Sequence, residues 1–175
     1  TITFSLSDAL SGLSSAKLQY SSDGVTYSDI TSVTGADTSY AWNVPLDDTI
    51  SAKVRLVGTD NAGNTVTATT STFKIDSTAP IATISDISGP LKGTDSVTVT
   101  LSASDALSGI AGLKLQYAAD GTSFSDVATL ANNATSIAWT VPSADVTTAK
   151  LRIMATDAAG NSATATSTAF MIDST

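Results

Sequence analysis

The residues of this chain that could do chemistry are its aspartates. All sixteen acidic side chains are Asp, and the sequence has no Glu, no His and no Cys. Three of the aspartates sit in recurring loop signatures. Asp105 lies in Ser104-Asp105-Ala106-Leu107-Ser108-Gly109 and Asp157 opens Asp157-Ala158-Ala159-Gly160-Asn161. Asp76 lies in Ile75-Asp76-Ser77-Thr78-Ala79-Pro80, near the middle of the chain. Carboxylates, backbone carbonyls and an amide form an all-oxygen donor set, which suits the hard cation Ca²⁺. Zinc, copper and iron sites draw on imidazole or thiolate, which this composition lacks.

The same absences bear on catalysis. General acid–base work and nucleophilic triads normally use His, or a Glu whose pKa is raised, and neither residue is present. No Ser–Lys or paired-Asp spacing stands out and no phosphate-binding Gly motif occurs, so no enzyme is expected. A net charge of −8, with only eight Lys and Arg, argues against a nucleic-acid partner. No apolar run approaches the roughly 20 residues that a membrane-spanning helix needs.

The elements that must position these aspartates follow from an internal repeat. Ser7-Asp8-Ala9-Leu10-Ser11-Gly12 returns 97 residues later around Asp105, and Thr59-Asp60 with Ala62-Gly63-Asn64 returns as Thr156-Asp157 with Ala159-Gly160-Asn161. The offset also carries Leu18-Gln19-Tyr20, Trp42, Pro45 and Arg55 onto Leu115-Gln116-Tyr117, Trp139, Pro142 and Arg152. Residues 1–78 align with 98–175 without a gap, about half of them identical. A unit of 97 residues has the size of an immunoglobulin-like sandwich. The expected division is 1–78, a repeat lacking its first strand, and 79–175, a complete one. Such a truncated sandwich exposes a sheet edge or groove that a neighbouring chain could fill.

Alternation of apolar residues with Ser and Thr, bounded by Gly, Pro and Asp, predicts seven strands in the second repeat. They are 81–87, 96–104, 112–117, 123–130, 136–141, 149–155 and 162–172. No helical period persists, so the fold class is all-β: two tandem immunoglobulin-like β-sandwiches. If the strands alternate up and down, the loops after the second and sixth share an end with the start of the first. Asp76, Asp105 and Asp157 then converge on one end, with Asn161 as a further ligand and Asp48 facing the same junction. Each Asp alone is explained by an Asx turn at a strand end; the three together favour a cation, and Ca²⁺ is the expected one.

These motifs carry a resemblance. Thr59-Asp60-Asn61-Ala62-Gly63-Asn64, then a strand and Ile75-Asp76-Ser77-Thr78-Ala79-Pro80, resembles the tandem bacterial immunoglobulin-like repeats of large surface adhesins. The resemblance covers essentially the whole chain. It implies an extracellular or cell-surface stalk of many copies, whose partners are neighbouring repeats, often stiffened by Ca²⁺ at the junctions. A host glycan or surface protein would be met by domains elsewhere in the protein. A glycan- or host-protein-binding module is the alternative, and an accessory array of a cell-wall enzyme a third reading. Near-identity of the two copies favours a spacer, because a dedicated site would break the symmetry between them.

Other features have simpler readings. Trp42 and Trp139 could stack on sugars, but their alternation with apolar residues predicts core packing. Lys53, Arg55, Lys150 and Arg152, with Lys17 and Lys114 on the neighbouring strand, form a basic stripe that is expected to pair with local Asp. Thr65, Thr67 and Thr69 alternate as on any exposed strand. Asn133-Ala134-Thr135 matches a glycosylation acceptor, and no spacing points to a Lys–Asn isopeptide crosslink.

Overall fold

The computed structural model describes all 175 residues and contains strands but no helix. It divides into two compact β-sandwich units, Thr1–Ser77 and Thr78–Thr175. The first contains β1 (Ile2–Thr3), β2 (Leu13–Ser21), β3 (Ser28–Val33), β4 (Ser39–Tyr40), β5 (Thr49–Asp60), β6 (Thr65–Thr69) and β7 (Phe73–Ile75). One sheet runs β3-β2-β5-β6, with β7 also on β5, and the other is the two-stranded β1-β4 ladder. The second unit contains β8 (Ile81–Ile84), β9 (Ser96–Ser104), β10 (Ile110–Ala118) and β11 (Ser125–Leu130), then β12 (Ser136–Thr140), β13 (Val146–Asp157), β14 (Ser162–Thr166) and β15 (Phe170–Ile172). Its sheets run β11-β10-β13-β14, with β15 on β13, and β12-β9-β8.

Period-two alternation decides which side chains fill each sandwich. In the second unit Val99 and Leu101 of β9 meet Leu113 and Leu115 of β10 and Leu151, Ile153 and Ala155 of β13 in one buried cluster. Trp139 is buried in that cluster, between Tyr117 at 5.5 Å and Phe170 at 6.0 Å. Trp42 repeats the arrangement, half-buried, with Tyr20 at 5.2 Å and Phe73 at 6.4 Å. The tryptophans are core residues rather than exposed platforms.

The strand ends differ from the sequence expectation in an instructive way. β13 extends to Val146–Asp157, and β10 begins at Ile110, because backbone pairing continues past the last buried apolar side chain. β8 stops at Ile84, after which Asp86 turns its carboxylate onto the Thr168 N–H at 2.8 Å. The seventh strand is two strands, both paired with β13. Between them Ser167 is buried, its Oγ accepting the Leu151 N–H at 3.1 Å and donating to the Thr168 carbonyl at 2.9 Å. A hydroxyl thus takes over one rung of the ladder, and the strand breaks there.

The units also differ in completeness. The first has no strand corresponding to β8. Ile2 and Phe4 are therefore only half-buried, whereas their counterparts Val99 and Leu101 are 0% and 3% exposed. Every residue of β6 is exposed, but Ala163 and Ala165 on the matching β14 are half-buried. One further change is compensated inside the sandwich. Leu6 and Gly58 stand where the second unit has Ala103 and Ala155, and a Cβ on Gly58 would lie 2.8 Å from Leu6 Cδ2.

Candidate metal centre

Asp105 ends β9 in a tight turn. Its Oδ1 accepts the N–H groups of Leu107 at 3.1 Å, Ser108 at 2.7 Å and Gly109 at 2.7 Å. Gly109 adopts φ +79°, a left-handed conformation that lets its N–H point back at the carboxylate. That Gly109 bond does most to hold the Asp105 carboxyl below its ordinary pKa; burial opposes it, and the Ser108 and Leu107 N–H groups add to it. The turn engages Oδ1 and leaves Oδ2 outside it.

Asp157 closes β13 and is only 2% exposed. Its Oδ1 accepts the Gly160 N–H at 2.7 Å and the Asn161 N–H at 2.8 Å, and its Oδ2 accepts Asn161 Nδ2 at 2.8 Å. Asn161 Nδ2 also donates to the Thr78 carbonyl at 3.3 Å. That carbonyl has no signature in the sequence, since any residue supplies one.

Both turns recur in the first unit. Asp8 Oδ1 accepts the N–H groups of Leu10, Ser11 and Gly12, and Asp60 accepts those of Ala62 and Asn64 together with Asn64 Nδ2. Turn formation is therefore reason enough for an Asp at each of these positions. What distinguishes Asp105 and Asp157 is a third carboxylate. Asp76, on the connecting stretch just after β7, is half-buried; with Asp105 and Asp157 it makes a possible set of three carboxylates, the donor type that Ca²⁺ takes.

Asp48 stands outside this group. Its Oδ1 accepts the Ser77 N–H at 2.8 Å, and its copy Asp145 binds the Ser174 N–H at 2.7 Å. Asn161 is committed through its amide nitrogen to Asp157 and Thr78, as Asn64 is to Asp60.

The basic stripe forms a local network, present in both copies. Lys114 meets Asp126 at 2.6 Å, Gln116 Nε2 donates to the same carboxylate at 2.6 Å, and Arg152 Nε donates to Gln116 Oε1 at 2.8 Å. The Arg152 guanidinium lies 3.9 Å from the centre of the Phe124 ring. In the first unit Lys17, Asp29, Gln19, Arg55 and Tyr27 make the same contacts.

No family model matches the chain, and no curated protein matches it. Among solved structures it is similar to one described as "Structural insight into host cell surface retention of a 1.5-MDa bacterial ice-binding adhesin". The identity is 21% and the TM-score 0.39, and the match covers 93% of this chain and 55% of that one. The chain thus spans little more than half the length of that structure.

Proposed function

We propose that the two sandwiches are spacer repeats of an extracellular adhesin or surface fibre, with Ca²⁺ bound by Asp76, Asp105 and Asp157 limiting flexure at the junction. The observation that supports a spacer is the fate of the repeated polar side chains. In both copies the turn aspartates, the Lys–Asp–Gln–Arg network and the Tyr–Trp–Phe stack make the same internal contacts. Contacts repeated in both copies serve the sandwich itself and single out neither copy as a dedicated glycan or protein site. The donor set favours Ca²⁺ over transition metals, because it contains only oxygen. Asp105 holds its turn through Oδ1, and a carboxylate has a second oxygen, so metal binding and turn formation are compatible.

Isothermal calorimetry of the whole chain with CaCl₂, paired with thermal melts, tests the metal half. A saturable heat and a rise in melting temperature at millimolar Ca²⁺ are expected; neither would appear if the carboxylates serve the turns alone. The spacer half is tested on a glycan array, where specific retention of this chain would replace it with the binding-module reading.

A further inference from the structure

In the second unit several hydrogen bonds meet at one residue, Ser174. Its Oγ accepts the Gly93 N–H at 3.2 Å and the Ala144 N–H at 3.1 Å, and donates to the Ala144 carbonyl at 3.0 Å. Its own N–H donates to Asp145 Oδ1 at 2.7 Å. A hydroxyl has one hydrogen to give and two lone pairs to offer, so Ser174 Oγ is fully used. Gly93 makes room for it, since a Cβ there would lie 2.5 Å from Ser174 Oγ. Just before these bonds, Leu91 pairs with Ile172 as parallel strands do. The Leu91 N–H donates to the Met171 carbonyl at 3.0 Å, and the Asp173 N–H to the Leu91 carbonyl at 2.8 Å.

Where the bonds lie gives them a use. The Thr78 carbonyl accepts from Asn161, just past the end of β13, whereas Ser174 is held by Asp145, just before β13 begins. The 12 residues of β13 span roughly 40 Å. A pull on the two ends of the unit therefore acts along its strands, drawing β8 and the Leu91 segment one way and β15 the other. Bonds between segments forced to slide past each other are loaded together, whereas bonds at a peeling end break one at a time.

We infer that Ser174 and the Leu91–Ile172 bridge form a force-bearing lock, which holds the end of β15 to its sandwich while the chain is under tension. The inference rests on the spacer reading, since a spacer held at both ends carries tension. Ser174 is the first fastening met from the C-terminal side, and it ties that stretch at once to Gly93 and to Ala144. Unfolding under load follows the unfolding rate rather than the equilibrium stability, so a bond on the load path counts for more than the same bond elsewhere.

The test is to pull single molecules of the whole chain by handles at its two ends. The second unit is recognised by the longer stretch of chain that it releases, Thr78–Thr175 against Thr1–Ser77. S174A, which removes every bond of the hydroxyl, should raise its unfolding rate at a given force about tenfold or more. G93A, whose methyl would take the hydroxyl's place, should act in the same direction with Ser174 intact. The control is L130A, on the edge strand β11, where Leu130 packs against the core away from the load path. Urea denaturation sets its equilibrium loss beside that of S174A, and under load L130A should leave the rate near that of the parent. The inference is overturned if S174A and G93A unfold at the parent's rate. It also fails if L130A speeds unfolding as much as S174A for the same equilibrium loss, which would make Ser174 an ordinary stabilising contact. The glycan array judges the spacer reading by itself, so failure of the lock and failure of that reading are told apart.

Discussion

Replacing Asp105 by Asn, with Asp8 replaced by Asn as the control, separates the turn from the metal. Asn keeps an acceptor oxygen for the three N–H groups at either position and removes the charge. The two turns are the same; only Asp105 belongs to the proposed three-carboxylate site. Extracellular Ca²⁺ modules bind with Kd of about 10⁻⁴ to 10⁻³ M. At about 10 mM Ca²⁺, mass action then stabilises the native state by about 1.4 to 2.7 kcal/mol. If losing one of three charges weakens binding tenfold, about 1.0 to 1.3 kcal/mol of that is lost. For a unit of this size the loss is roughly 4 to 10 °C of the Ca²⁺-induced rise in melting temperature. The assay is differential scanning calorimetry of the parent chain, D105N and D8N, each with chelator and with Ca²⁺. D8N should melt lower by the same amount in both conditions, leaving the Ca²⁺-dependent rise intact. A full rise in D105N would refute the three-carboxylate site, whatever its baseline stability.

Three further outcomes follow from contacts within the units. Tyr20 donates to Asp47 at 3.1 Å, whereas Tyr117 faces Ala144 at the matching position and its buried hydroxyl has no hydrogen-bond partner. In urea denaturation Y20F should therefore cost about 1 kcal/mol and Y117F nothing or less. G58A should destabilise the first unit by about 1 to 3 kcal/mol through contact with Leu6, and adding L6A, which recreates the Ala103–Ala155 pair, should restore part of it; strict additivity in a double-mutant cycle would contradict the packing account. Stability should be flat near neutrality, since the chain has no His. The Gly12 N–H chiefly lowers the Asp8 pKa, the Val25 N–H that of Asp23, and the Ser123 hydroxyl that of Asp120. Lowered folded-state values mean stability is present above the unfolded pKa of about 4 and lost as pH falls through the folded values. Tyr20 has the opposite sign: burial and Asp47 push its pKa up to about 12, so its share is lost as pH rises from about 10 toward that value. Thermal melts between acid and alkaline pH would show both flanks.

Much of this fold was legible because period-two alternation and a gapless repeat report the same thing twice. Val97, Val99 and Leu101 read as one buried face, and the structure gives β9 the bounds Ser96–Ser104 that alternation suggested. The break at Ser167 was not legible, because a buried serine that bonds the Leu151 N–H looks in sequence like any solvent-facing serine. The extensions of β10 and β13 were hidden for a related reason, since backbone pairing leaves no trace in side-chain pattern. For the candidate site the sequence offered Asp76, Asp105, Asp157, Asn161 and Asp48, from loop position alone. It could not distinguish Asp48, whose Asx-like setting resembles theirs but whose carboxylate holds the Ser77 N–H.

The exchange of Leu6 and Gly58 for Ala103 and Ala155 has a consequence for how such a chain finds its native state. Neighbouring repeats that are half identical invite misassembly, in which a strand of one sandwich docks into the other. Here a hybrid would be penalised in either direction. The Leu6 strand would crowd Ala155, and the Ala103 strand would leave a void beside Gly58. Tyr40 opposite Ile2, against Ile137 opposite Val99, adds a second mismatch of size. Small complementary differences between near-copies thus act as a self-recognition code, keeping each strand with its own sandwich while the surface network stays shared.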